Sequence, residues 1–155
     1  MLEWQANFEL GQPTIDEQHR KWFQLTNVFL KRAYRGEAGQ DAIQKALEEV
    51  VAYARYHFTA EEEFMRAIGY EETSLYTHIQ VHDEFVARIN ELAGKCRLGD
   101  PETGQEMVDF LTNWLKHHIV ATDVKYIRFY KRVGKKISTL AAERLRRTTR
   151  RRRRQ

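Results

Sequence analysis

The sequence predicts an all-α fold: an antiparallel up-down-up-down four-helix bundle with an extended N-terminal arm and a basic C-terminal extension. Only 2 prolines and 8 glycines interrupt its 155 residues, which favours long helices over many short strands. Four segments carry apolar residues three or four positions apart, which is the period of one face of an α-helix. Short connections between four such helices are typical of an up-and-down bundle.

The arm and the first two helices are predicted from local signals. Residues 1–13 lack any periodicity, and we expect them to be extended. Thr14 and Glu17 have the spacing of a capping box, so a first helix is predicted over 14–35. A second helix is predicted over 40–68, because Gly69 follows it at a position where a left-handed cap favours glycine.

The third helix is predicted over 73–97, where apolar residues recur at helical spacing. Asp100 and Pro101 then have the order of an N-cap and a first helical residue, so a fourth helix is predicted to begin there. Met107, Leu111 and Trp114 form one side of this helix.

We expect one domain over 1–133 and a separate extension over 134–155. A chain of 155 residues has room for a single hydrophobic core, and 42% hydrophobic residues exclude a disordered composition. No apolar run approaches the roughly 20 residues that span a bilayer. One cysteine excludes an internal disulfide and is typical of the cytoplasm, where we expect the protein.

Basic residues are concentrated at the C-terminus. Residues 131–155 hold twelve Lys or Arg against one acid, a net charge of +11, whereas residues 1–130 carry a net −7. Apolar residues at helical spacing indicate a partly helical extension, although a disordered solubilising tail is equally compatible. The possible partners are an anionic surface, such as a membrane or nucleic acid, or an acidic protein. Arg150–Arg154 lack interleaved aromatics, so sequence-specific nucleic-acid recognition is not expected.

Six polar side chains stand where the helices should bury apolar ones: His19, His57, Glu61, His78, His82 and His118. A single histidine on an apolar face is usually an ordinary core residue. A buried carboxylate is different, because burial without a partner is strongly unfavourable. Since every predicted helix contributes at least one of the six, the sequence predicts a metal site inside the bundle.

The spacing of these residues supports a shared site. His57 and Glu61 are four residues apart, as are His78 and His82, so each pair projects from one helix face. Asp123 follows His118 by five residues, which places it about 140° away on an ideal α-helix. Asp123 can therefore join the site only if the helix ends or bulges between the two.

The donor set favours two metal ions over one. Imidazoles and carboxylates suit iron, manganese or zinc, and five histidines exceed one tetrahedral zinc site. Two octahedral ions need about twelve positions, of which five imidazoles and two bridging carboxylates would fill about nine. A bridging oxygen would fill about two more. The remaining open position would bind one small ligand.

At these positions the sequence resembles the hemerythrin family in its bacterial form, bacteriohemerythrin, over about residues 4–130. The matching motifs are Asp16-Glu17-Gln18-His19, His57-Phe58-Thr59-Ala60-Glu61-Glu62, Gly69-Tyr70, His78-Ile79-Gln80-Val81-His82, and Trp114-Leu115-Lys116-His117-His118-Ile119 followed by Asp123. The resemblance implies two iron ions, a bridging oxo or hydroxo group and reversible binding of dioxygen without catalysis. It also implies which side chains hold each iron.

By the family pattern, the iron with every position filled would be held by His78, His82 and His118. The iron with the open position would be held by His19 and His57, and Glu61 and Asp123 would bridge the two. We expect a dry oxygen pocket lined by Trp22, Phe58, Trp114, Leu115 and Ile119. Such a pocket would limit autoxidation by excluding water and protons.

Trp22 departs from the family pattern, because family members often carry a smaller aliphatic residue there. Its bulk either narrows the oxygen pocket or serves as ordinary core packing. Both interpretations stay open on the sequence alone.

Two other functions could use a buried pair of metal ions. A ferritin-like di-iron oxidase or ferroxidase uses Glu-x-x-His pairs, but no glutamate stands three residues before any of the five candidate histidines. A sensor of oxygen, redox state or nitric oxide is the second alternative. We expect no signalling domain beside the bundle, so a sensor would have to act through surface contacts.

Overall fold

A computed structural model describes residues 1–35, 40–97 and 103–136. Within these ranges all regular elements are helical: α1 (Pro13–Arg35), α2 (Gln40–Ala67), α3 (Glu72–Arg97) and α4 (Thr103–His117). A π-helical turn, His118–Asp123, follows α4, and a further helical stretch, α5, covers 124–136. The all-α prediction is confirmed, and the bounds of the first three helices agree with prediction to within one residue.

The helices close into a four-helix bundle. Each of α1 to α4 contacts the next along the chain, and α4 also contacts α1. The fully buried interior includes Trp22, Phe85, Ile89, Leu111 and Ile119. Asp100 and Pro101, predicted to start the fourth helix, lie outside the described residues.

The N-terminus of α1 differs from the prediction. The capping residue is Gln12, not Thr14, because the Gln12 side-chain carbonyl accepts a hydrogen bond from the backbone N–H of Ile15 at 2.7 Å. Pro13 then occupies the first helical position, where a missing N–H costs nothing. The C-terminus of α2 follows the prediction: Gly69 has φ +68°, and the N–H of Tyr70 donates to the carbonyl of Met65.

The arm is not extended throughout, and it packs on the bundle. Residues 6–8 form a 3₁₀ turn, and Leu2, Phe8 and Leu10 are buried. Both carboxylate oxygens of Asp16 accept backbone N–H groups of the arm, from Leu10 and Gly11, at 2.8 Å each. Asp16 therefore fixes the arm against the helix turn that precedes His19.

The structure describes only the first residues of the predicted C-terminal extension. α5 continues through residue 134 to 136, and residues 137–155 lie outside the described residues. In the described ranges, no helix combines the length and the apolar character needed to cross a membrane.

Candidate metal centre

The structure brings all seven predicted ligand side chains together inside the bundle. α1 provides His19, α2 provides His57 and Glu61, α3 provides His78 and His82, and the π turn provides His118 and Asp123. None is more than 4% exposed. Their donor atoms form two groups, in each of which all atoms lie within 4.8 Å of one another. Glu61 belongs to both: one group adds His78, His82 and His118, and the other adds His19, His57 and Asp123.

Glu61 points one carboxylate oxygen at each histidine group. Oε1 lies 3.5 Å from Nε2 of His57 and 3.9 Å from Nε2 of His19. Oε2 lies 3.3 Å from Nε2 of His82 and 3.6 Å from Nε2 of His78. A carboxylate in this position can bridge two metal ions, with one oxygen bound to each.

Asp123 has the same arrangement on the other side. Oδ2 lies 3.2 Å from Nε2 of His19, whereas Oδ1 lies 2.9 Å from Nε2 of His118 and 3.5 Å from Nε2 of His78. The π turn makes this possible, since the N–H of Val124 donates to the carbonyl of Ile119 five residues earlier. The wider turn brings residues five apart onto one face, which confirms that the helix bulges between His118 and Asp123.

The chemistry of this cluster fits a pair of metal ions. Several buried donor atoms have no hydrogen-bond partner among the described residues: Nε2 of His19, His57 and His78, Oε2 of Glu61, and both oxygens of Asp123. Such atoms are costly in a protein interior unless a cation satisfies them. Nε2 of His82 and Nε2 of His118 also face each other at 3.2 Å, as two ligands of one ion would.

The protonation states of four of the seven ligands suit metal binding. Burial lowers the pKa of His57 to about 3 and also lowers the pKa of His118, so both imidazoles keep a free lone pair at neutral pH. Burial raises the pKa of Glu61, but its contacts with His57, His78 and His82 outweigh burial and hold this pKa well below its usual value. The pKa of Asp123 is about 2, because the facing His118 outweighs burial and the charge of Glu61. Both carboxylates are therefore anionic.

Three further residues orient the ligands. Oε1 of Gln18 lies 2.9 Å from Nδ1 of His57; a proton on Nδ1 donates to that oxygen and leaves Nε2 free for a metal. Nδ1 of His82 lies 3.5 Å from Oε1 of Glu62. The buried hydroxyl of Tyr126 donates to Oε1 of Glu61 at 2.5 Å.

Sequence reasoning assigned no role to these three residues. In the sequence Gln18 precedes His19 and Glu62 follows Glu61, so adjacency to a predicted ligand was the signal that could have identified them. Tyr126 lies 65 residues from Glu61, and only its position one turn after Asp123 pointed to the site. His117, adjacent to a ligand, is exposed.

Aromatic rings cover the ligand histidines on one side. Phe58 stacks on His82 with ring centroids 3.8 Å apart, and Trp114 stacks on His118 at 4.1 Å. The ring of Trp22 lies edge-on to His57 at 5.4 Å. Leu115 and Ile119, also expected in the oxygen pocket, are fully buried in the core.

Trp22 is part of this aromatic cluster and not a remote core residue. Its ring centroid lies 5.4 Å from that of Phe58, 5.6 Å from that of Phe85 and 5.9 Å from that of Trp114. Only 1% of Trp22 is exposed. This position is compatible with narrowing the predicted pocket and with core packing alike.

Comparison with known proteins agrees with the geometry. A family model described as the hemerythrin HHE cation binding domain matches residues 10–130. A bacteriohemerythrin of Clostridium acetobutylicum is 36% identical over 131 residues, covering 82% of this chain and 99% of that protein. A bacteriohemerythrin of Pseudomonas aeruginosa PAO1 is 32% identical, covering 81% of this chain and 79% of its own length. A hemerythrin-like protein of Naegleria gruberi is 31% identical, covering 81% and 90%.

Proposed function

The chain belongs to the hemerythrin family, and we propose that it binds dioxygen reversibly at a di-iron centre, as a carrier, store or delivery protein and not as an enzyme. The observation that carries the proposal is the ligand set: five buried histidines in two groups, with two carboxylates that each face both groups. We expect this protein in the cytoplasm.

The proposal assigns a role to each ligand. His78, His82 and His118 would hold one iron, and His19 and His57 the other. Glu61 and Asp123 would bridge them, together with an oxo or hydroxo group. Because fewer protein ligands would hold the second iron, an open position would remain there for a small molecule. When bound, the two irons supply the electrons that a reversible interaction with dioxygen requires.

The chain's own residues keep the ligands in place and the pocket dry. Gln18 and Tyr126 fix His57 and Glu61 by hydrogen bonds, so these two ligands keep their geometry when the metal changes its charge. Phe58 and Trp114 stack on ligand imidazoles and exclude water from one side of the site. Trp22 extends the same apolar wall to His57.

Oxygen uptake by the reduced, iron-loaded protein tests the proposal. We expect about one dioxygen per chain to be taken up, returned when the solution is purged with argon, and taken up again over repeated cycles. Net consumption of dioxygen without its return would contradict the proposal and favour a di-iron oxidase.

Leu115→Ala is expected to speed autoxidation while both irons are retained. Leu115 follows Trp114 in the sequence and is buried in the structure. Its truncation leaves a cavity through which water can approach the metal centre. We expect a rate increase of about tenfold, equivalent to about 1.4 kcal/mol. The rate is measured from the visible spectrum of the oxygenated protein over time.

Leu111→Ala is the matched control for this variant. Leu111 is equally buried and lies one turn earlier on α4, so the same truncation occurs farther along the helix from the predicted pocket. Its autoxidation rate should match that of the unmodified protein. An unchanged rate in Leu115→Ala would show that Leu115 does not guard the pocket.

We also propose that the basic extension holds the protein at an anionic surface. Deleting residues 144–155 removes eight arginines. At low salt each cation near an anionic membrane contributes about 1 kcal/mol, so the deletion should abolish binding to phosphatidylserine vesicles. Equal binding of the full and the shortened chain to these vesicles and to DNA would contradict the proposal. Neutral phosphatidylcholine vesicles serve as the control.

A further inference from the structure

A cleft lined by basic residues lies beside the candidate metal centre, between α5 and the beginning of α3. It consists of two adjoining cavities that share Tyr70, Ser74 and Lys125. The outer cavity, of about 390 Å³, is also lined by Arg128 and Arg132. The inner cavity, of about 190 Å³, ends at His78. We refer to both together as the basic cleft.

The cations of the basic cleft are available to a partner. Lys125, Arg128 and Arg132 are three and four residues apart, so they share one face of α5, and all three are exposed. None forms an ion pair with a carboxylate in the described part of the chain, and residues 124–136 contain no acid. The guanidinium of Arg132 instead lies 5.5 Å from the ring of Phe129.

One acid, Glu71, lines the basic cleft, but its carboxylate is already engaged. It accepts hydrogen bonds from the hydroxyl of Ser74 at 2.6 Å and from the backbone N–H of Ser74 at 2.9 Å, at the N-terminus of α3. Three cations thus face one occupied carboxylate. This surface is positive although residues 1–130 carry a net charge of −7.

The inner end of the basic cleft reaches the candidate metal centre. His78 keeps 4% of its side chain exposed, whereas the other four ligand histidines keep at most 2%. The other two histidines of its group, His82 and His118, are instead covered by the rings of Phe58 and Trp114. At the basic cleft, the imidazole of His78 therefore lies between the protein surface and a candidate metal position.

We propose that an acidic one-electron carrier protein docks in the basic cleft and reduces the oxidised centre through His78. The proposal rests on the iron centre proposed above, but not on reversible oxygen binding. In each encounter one Fe³⁺ becomes Fe²⁺ while the iron–sulfur cluster or flavin of the carrier loses one electron. Two encounters restore both irons.

The length of the cationic row favours a protein over a single small anion. From Lys125 to Arg132 it extends about 10 Å along α5, which exceeds the span of one phosphate and matches carboxylates spread over a protein surface. Complementary charge of this kind raises association rates by about 10- to 1,000-fold at low salt.

The test uses the full iron-loaded chain in its oxidised form and a reduced, acidic [2Fe–2S] ferredoxin as the probe. The variant Lys125→Glu/Arg128→Glu/Arg132→Glu should slow reduction by at least about tenfold at low salt, measured by stopped-flow absorbance. Rising salt should slow the unmodified protein and leave the variant almost unchanged. The matched control, Lys21→Glu/Lys31→Glu/Lys45→Glu, makes the same charge change on α1 and α2 and should behave as the unmodified protein.

Two further measurements separate docking from damage to the centre. Calorimetry should detect binding of oxidised ferredoxin to the unmodified and control proteins but not to the cleft variant. Reduction by the methyl viologen radical cation, a small positively charged donor, should not be slower in the cleft variant. If ferredoxin reduces the cleft variant as fast as the unmodified protein, or if the control variant is slowed as much as the cleft variant, the proposal is overturned. Iron content is assayed beforehand, so failure to form the centre is recognised separately.

Discussion

Replacing Glu61 with leucine is expected to reduce the iron content of the protein from about two ions per chain to nearly none. One oxygen of Glu61 faces His57 and His19, and the other faces His82 and His78. The substitution thus removes a ligand from both metal positions at once. It also removes a negative charge that would offset the repulsion between two neighbouring metal cations. Iron is measured in the purified protein after anaerobic reconstitution.

The neighbouring residue offers a matched control. Among the predicted ligands Glu62 contacts only His82, with 3.5 Å between Oε1 and Nδ1, and its other oxygen pairs with Arg66, so Glu62→Leu should retain both irons with at most a 10- to 100-fold weaker affinity. Glu61→Leu also leaves the buried Tyr126 hydroxyl without its acceptor, which costs about 1–3 kcal/mol. Combining it with Tyr126→Phe removes this penalty. If the double variant folds and still holds two irons, Glu61 is not a shared ligand.

Removing the metal is expected to lower the thermal midpoint by about 8–16 °C. A ligand present at 1,000 times its Kd stabilises the folded state by about 4 kcal/mol, and each kcal/mol shifts the midpoint of a chain this long by about 2–4 °C. The unpartnered buried atoms of His19, His57 and Asp123 give the physical reason, because a bound cation would satisfy them. Melting is followed by circular dichroism before and after chelation, and again after Fe²⁺ is returned.

The Glu61→Leu/Tyr126→Phe variant is the control for the melting experiment. It lacks the shared ligand, so chelator should leave its midpoint unchanged. The same midpoint for the iron-loaded and iron-free unmodified protein would show that the metal does not stabilise the fold, contrary to a site built around buried ligands.

Much of the fold and six of the seven clustered polar side chains could be predicted, because both follow from periodicity. Apolar residues at helical spacing mark the buried face of each helix, and His57, Glu61 and His78 stand out as polar residues on that face. Geometry also indicated that the helix must end or bulge for Asp123 to join the site, since a regular α-helix would direct it away from His118, and the structure shows a bulge.

The contacts that orient the ligands could not be predicted, because periodicity does not identify partners on other helices. The bond from Tyr126 to Glu61 joins residues 65 positions apart, and that between Gln18 and His57 joins residues 39 apart. The N-cap of α1 was assigned to the wrong residue for a local reason: Gln12 supplies the cap through a side chain longer than those of Ser, Thr, Asp and Asn, which usually do so. The basic cleft depends on how α5 packs beside α3, which no single segment encodes.

Iron content, combined with visible spectra of the reduced protein before and after oxygen, tests the central claim most directly. We expect about two irons per chain and a visible absorption band that forms with oxygen and disappears when oxygen is removed. Two irons that oxidise without any reversible oxygenated state would contradict oxygen carriage. One zinc per chain and a colourless protein would contradict the di-iron centre itself.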